Sequence, residues 1–228
     1  MKLLIGNKNY SSWSMRPWVL LTQFDIAFEE VRIPFDGFSS DSRFKAAVAE
    51  RSPAGKVPVL VEDDGFAVWD TLAIAEYAAE KFPDKGLWPR DARRRARARS
   101  VCAEMHSGFG TMRDVFGMNI EAALPDVGAR VLADNAAARA DLARMIALWQ
   151  EALATSGGPF LFGAFSIADA YFAPVVMRMV TYALPVPPDI AAYIERSTAA
   201  KGTAAWIRGA LAEKEFLQFE EPYRTSRD

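Results

Sequence analysis

The sequence predicts a small α/β domain followed by an all-α helical domain. Three observations carry this expectation. Segments with strand character all fall before Pro83. Beyond about residue 90 the chain is rich in Ala, Leu and Arg at helical spacing. Between them, residues 83–90 hold prolines and a glycine and read as a linker. A chain of 228 residues, 51% of them apolar, can build two such cores. The expected domains are 1–82 and 91–228.

Each element has its own signal. Residues 2–5 read as a short buried strand. Residues 7–14 are polar and turn-like, and Ser14 is placed to cap a helix with Pro17 in its first turn, where a missing N–H costs nothing. Trp18, Leu20, Leu21 and Phe24 give that helix an apolar face. Residues 28–33 alternate with strand period, and 39–48 form a plausible short helix. Strands at 57–61 and 66–69 flank Asp63-Asp64-Gly65, a hairpin signal. A helix over 70–82 stops at Pro83, which completes the order β-α-β-α-β-β-α. Long helices are expected over about 90–118 and 127–154, a further one over 166–182, and shorter ones near 189–198 and 203–214. The polar tail, 220–228, is expected to fray.

Composition removes several function classes. A net charge of −2 gives no case for a nucleic-acid surface. The lone Cys102 excludes an intrachain disulfide, a CxxC redox pair and a cysteine-based zinc site, and reads as a buried apolar residue. With His106 as the one histidine, no metal site is expected. A cytoplasmic protein with no membrane partner is the expectation, since no signal peptide is visible and no apolar run approaches the ~20 residues of a membrane span.

Four motifs stand in a set order. They are Tyr10-Ser11-Ser12-Trp13-Ser14-Met15-Arg16-Pro17, the run from Ser52 through Val57-Pro58 to Leu60, Trp69-Asp70-Thr71, and Phe165-Ser166-Ile167-Ala168-Asp169. Together they resemble the soluble glutathione transferase family across nearly the whole chain. The first is most similar to the serine classes, zeta in particular, with Trp13 where the zeta motif has cysteine. The resemblance implies a thioredoxin-like first domain, a cis Val57-Pro58 bond, a homodimer, and glutathione as co-substrate with no further cofactor.

The implied chemistry is activation of a thiol. A free thiol has a pKa near ~8.5, and the thiolate is the nucleophile. A hydroxyl donating to sulfur at a helix N-terminus favours that charged form. Ser11 is the first candidate by the zeta match and Ser12 the second, with Tyr10 a rival; capping alone is the plain alternative for the serines. Lys56, Val57, Pro58, Asp70 and Thr71 are the candidate glutathione-binding residues. Lys56 can equally be a solvated lysine, and Asp70-Thr71 an ordinary cap. Ser166 and Asp169 read as a capping box with a folding role.

Trp13, Met105, His106, Phe109 and Arg113 are candidates for a second-substrate pocket, although spacing of this kind also marks a helix core. The expected function is glutathione transfer to small, mostly apolar electrophiles. The alternatives are a glutathione-dependent cis–trans isomerase of maleylacetoacetate type, for which Arg16 and Arg113 would hold carboxylates, and a non-catalytic binding protein of the same fold.

Overall fold

The computed structural model describes residues 1–227. Its N-terminal part is thioredoxin-like. Strand β1 (Lys2–Ile5), helix α1 (Ser12–Gln23), β2 (Glu29–Arg32), α2 (Arg43–Ala49), β3 (Val59–Val61), β4 (Ala67–Val68) and α3 (Thr71–Lys81) follow in that order. The four strands form one sheet in the order β2-β1-β3-β4. β1 runs parallel to β2 and antiparallel to β3, and β4 is antiparallel to β3. The hairpin turns at Gly65, whose φ of 90° suits a residue without Cβ.

The remainder is helical: α4 (Ala92–Ser107), α5 (Gly110–Val115), α6 (Pro125–Asp134), α7 (Ala136–Ser156), α8 (Ile167–Thr181), α9 (Pro188–Ala199) and α10 (Lys201–Glu213). The two parts share a core. Helix α1 packs on both α8 and α10, and Met15, Val19, Leu20 and Leu21 are fully or almost fully buried there. Gly202 lets α10 approach: a Cβ at that position would lie 2.4 Å from the Val19 carbonyl oxygen. No helix among the described residues is long and apolar enough to cross a membrane.

Four expectations are corrected. Helix α1 begins at Ser12, so Ser14 lies within its first turn and accepts the Gly6 N–H at 3.1 Å instead of capping. The helix expected over 90–118 breaks after Ser107, where Gly108 ends α4 and Phe109 takes φ 56° with its ring buried. The one expected over 127–154 is two helices, because Asn135 leaves helical geometry and caps α7 through the Ala138 N–H at 2.9 Å. The tail does not fray where it is described. Glu221 is buried and binds the Tyr10 hydroxyl at 2.8 Å, Asn119 Nδ2 at 2.8 Å and Arg224 Nη2 at 2.6 Å. The last residue of that tail, Asp228, lies outside the described residues.

Candidate active site

The turn between β1 and α1 presents a helix start that no side chain caps. Ser11 occupies the N-cap position, yet its hydroxyl donates to Ser14 Oγ at 2.7 Å and leaves the first-turn N–H groups alone. The Ser12 hydroxyl has no partner among the described residues. Both serines line a cleft of about 430 Å³, together with Trp13, Lys56, Val57 and Arg113. An open helix N-terminus beside two hydroxyls is suited to an anion. Tyr10 lines the same cleft, but its hydroxyl is committed to Glu221. Burial above all, with Glu221 beside it, pushes the Tyr10 pKa up to about 12.

A second hollow of about 240 Å³ adjoins the first and shares Trp13, Lys56 and Val57 with it. Ala54, Pro58, Trp69, Asp70, Thr71 and His106 complete its lining. The Val57-Pro58 peptide is cis, and so is Trp69-Asp70. Neither the N–H nor the C=O of Val57 has a backbone partner among the described residues, so both remain for an extended peptide. Lys56 is exposed and forms no ion pair among the described residues. At the start of α3, Asp70 Oδ1 accepts the Leu72 N–H at 3.3 Å and the Thr71 hydroxyl at 2.8 Å. The Thr71 N–H stays open at this second helix start.

Tyr171, on α8, ties these pieces together and was not foreseen from the sequence. Its hydroxyl meets Thr71 Oγ1 at 2.9 Å and His106 Nδ1 at 2.7 Å, while His106 Nε2 faces Asp70 Oδ2 at 3.7 Å. The available signal was a tyrosine in an apolar helix, since a buried phenol needs a partner. Arg178 was missed too. It lines the larger cleft, and a lone cation inside the run Val175-Val176-Met177-Arg178-Met179 was the signal.

Three expected roles change. Met105 and Phe109 lie in the hydrophobic core and line neither hollow. Arg16 is 2% exposed, its guanidinium held between the rings of Trp13 at 4.1 Å and Tyr171 at 4.6 Å, with Nε donating to the Tyr171 carbonyl at 2.9 Å. It lines neither of the two hollows. Trp13, His106 and Arg113 do line the hollows. A third hollow of about 310 Å³, between α4 and α7, contains Arg144 paired with Glu104 at 2.6 Å and none of the motif residues.

A thioredoxin-like sheet domain joined to a helical domain, with an uncapped helix start facing a cleft lined by residues of both, is the architecture these features define. Two family descriptions match the chain, "Glutathione S-transferase, N-terminal domain" over residues 10–81 and "Glutathione S-transferase, C-terminal domain" over residues 92–209. The chain belongs to the glutathione S-transferase family. It is similar to a probable maleylacetoacetate isomerase of Caenorhabditis elegans, with 34% identity over 104 residues, 46% of this chain and 45% of that protein. It is similar also to the maleylacetoacetate isomerase of Pseudomonas aeruginosa, with 35% identity over 103 residues, 45% of this chain and 47% of that protein. The matched stretch thus spans about half the length of these relatives. Among solved structures, a glutathione transferase homolog from Burkholderia gl BGR1 with bound glutathione superposes with a TM-score of 0.68 at 24% identity, over 94% of this chain and 98% of that one. A maleylpyruvate isomerase, described as a bacterial zeta-class glutathione S-transferase, gives 0.68 at 20% identity over 92% and 98%. These two likenesses speak for the fold.

Proposed function

We propose that the protein is a glutathione transferase, with residues 1–82 holding glutathione and 91–228 contributing side chains to the second-substrate pocket. The observation that carries this reading is the uncapped start of α1, with Ser11 and Ser12 facing the cleft beside the unpaired backbone of Val57. In this reading Asp70 takes the γ-glutamyl ammonium, and the start of α3 with Thr71 takes the adjoining carboxylate. The Val57 backbone pairs with the cysteinyl residue, and Lys56 reaches the glycyl carboxylate. The thiol then lies at the start of α1 and loses its proton to solvent. Its sulfur forms a bond to an electrophilic carbon as the leaving group departs with the electron pair.

A second reading is glutathione-dependent cis–trans isomerisation. The two relatives that bear the isomerase name favour it. In that reaction the thiolate adds to a double bond, the new single bond rotates, and the sulfur leaves again. A detoxifying role, a cytoplasmic location and a homodimer are part of the proposal. Sedimentation at twice the chain mass of 25.2 kDa is the check on the dimer. Calorimetry tests the site itself. Replacing Asp70 and Thr71 together with alanine is expected to weaken glutathione binding by roughly 2–4 kcal/mol. Unchanged affinity in the double variant would remove the clamp and the reading with it.

A further inference from the structure

Four side chains close a circuit beside the smaller hollow. Asp70 caps α3 and Thr71 follows it, Tyr171 comes from α8, and His106 stands in the last turn of α4. Thr71 Oγ1 lies 2.8 Å from Asp70 Oδ1 and 2.9 Å from the Tyr171 hydroxyl. That hydroxyl lies 2.7 Å from His106 Nδ1, and His106 Nε2 comes back to Asp70 Oδ2 at 3.7 Å. The circuit is well held. Tyr171 is buried, with Arg16 against its ring at 4.6 Å, and the Trp13 ring packs edge-on to His106 at 5.3 Å. Asp70 is the one carboxylate that lines this hollow among the described residues.

Counting protons sets the direction of the circuit. The Thr71 hydroxyl has one proton, and a carboxylate is a stronger acceptor than a phenol, so that proton goes to Asp70. Thr71 then accepts from Tyr171, which leaves the phenol without a further proton to give. His106 Nδ1–H therefore donates to the phenol oxygen. In the neutral imidazole this makes Nε2 a bare acceptor. It faces another acceptor. Asp70 Oδ1 takes the Leu72 N–H and the Thr71 hydroxyl, whereas Oδ2 takes no hydrogen bond among the described residues. At 3.7 Å the two atoms are too far apart to share a proton directly. A single nitrogen about 2.9 Å from each fits in front of the gap. The group that satisfies two acceptors, one of them charged, is a cationic N–H donor.

We propose that His106 Nε2 and Asp70 Oδ2 together seat the γ-glutamyl ammonium of glutathione, so that a histidine of the helical part belongs to the glutathione site. This rests on the transferase reading, in which Asp70 alone takes that ammonium. It moves His106 out of the expected second-substrate pocket. Tyr171 is the positioning residue: tied to Thr71, it keeps the proton on Nδ1 and the Nε2 lone pair towards the hollow. A ligand without the amine leaves two acceptors facing each other unmet and binds more weakly.

The test compares S-methylglutathione with its counterpart in which glutaryl replaces γ-glutamyl, so that only the amine is missing. Calorimetry with the wild-type protein is expected to show at least about tenfold tighter binding of the amine, the worth of one charge-assisted hydrogen bond. His106→Leu is expected to cut that preference several-fold while leaving the affinity for the glutaryl ligand unchanged. His106→Gln puts an amide oxygen near the place of Nε2 and is expected to keep most of the preference. A preference undiminished in His106→Leu would overturn the shared seat and return the ammonium to Asp70 alone. An equal loss for both ligands would overturn it too, since His106 would then only support the fold of the site. Tighter binding of the amine by His106→Leu would mean that His106 is a cation paired with Asp70, and would overturn it as well. Equal affinity of the wild type for the two ligands would remove the ammonium seat and leave the transferase reading standing. Binding of neither ligand would overturn the transferase reading, and this inference with it. His106→Phe, which keeps a ring against Trp13 and has no acceptor, carries the same expectation if His106→Leu does not fold.

Discussion

Helices α1 and α8 both start from a serine, and the chain treats the two starts in opposite ways. At α8, Ser166 Oγ accepts the Ala168 N–H at 3.3 Å and Asp169 answers through the Ser166 N–H at 2.9 Å. Asp169 also takes the Leu161 N–H at 3.1 Å and the Tyr193 hydroxyl at 3.2 Å. That end is closed and buried, with Asp169 only 1% exposed. At α1, Ser11 turns to Ser14 and no side chain caps the first turn. What differs is the residue three places on: a carboxylate can close the box, whereas Ser14 is itself engaged by Gly6. Donors that folding does not use remain available to a ligand.

The largest effect should follow from breaking the closed end. Asp169→Ala leaves two backbone N–H groups and a buried phenol without acceptors. A loss of about 3 kcal/mol is expected, read as a fall in Tm of roughly 6–12 °C for a chain of this size. Burial pushes the Asp169 pKa up to about 6, and the donors around it act the other way. It is therefore mostly ionised at neutral pH, and removing it costs the whole set of bonds. Ser11→Ala should cost well under 1 kcal/mol, because no cap bond is lost. A thermal melt in which the two variants fall equally would erase the distinction between the ends.

The same contrast explains what was legible in the sequence. The capping box at Ser166 and Asp169 was readable because both partners lie within one turn and local chemistry suffices. The strand and helix order was readable for the same reason, and Asp70 does cap α3 at the position its type suggests. The cap of α1 was misread, since the choice between Ser14 and Ser11 depends on Gly6, eight residues from Ser14 and across the turn. Tyr171 was missed because its partners are distant in the chain, and Arg178 because the cleft it lines comes from several elements. Thr71 is 100 residues from Tyr171, and the cleft facing Arg178 is built largely from other elements. The folded tail was misread because Tyr10 and Asn119, which hold Glu221, lie more than 100 residues away.

The open end should be sharpened by the thiol itself. In the free protein Ser11 donates to Ser14, but two hydroxyls exchange roles by rotation about their C–O bonds. With Ser14 donating instead, the Gly6 N–H, Ser14 and Ser11 form a polarised chain that ends on the sulfur of bound glutathione. Ser11→Ala is then expected to raise the pKa of the bound thiol by about 1 unit, or about 1.4 kcal/mol. Ser14→Ala should raise it less, and Ser12→Ala least. Ultraviolet titration of the thiolate reads all three. A larger rise for Ser12→Ala would transfer the role to the hydroxyl that has no protein partner, and no rise for any of them would leave the helix N-terminus as the sole source of activation.

The smallest effect concerns the tail that borders the cleft. Burial, with the charge of Glu221 beside it, raises the Glu220 pKa to about 7. The folded protein then holds a proton on Glu220 that the unfolded chain has already released between about pH 4.5 and 7. Over that window the unfolded state binds fewer protons, so this group lowers stability as pH rises and its penalty is complete above about pH 7. Glu220→Gln stays neutral and removes the slope. Asp169, whose pKa is also raised, adds a slope of the same sign, but it does so in both proteins and cancels in their difference. Because Glu220 is only partly buried, the gain at about pH 8 should be roughly 1 kcal/mol, less than the shift alone would give. Melts of the two proteins from about pH 5 to 8 should therefore diverge steadily, with the variant more stable at the alkaline end. Parallel curves would mean that Glu220 is solvated, and that the tail beside the open helix end is held by Glu221 and its partners alone.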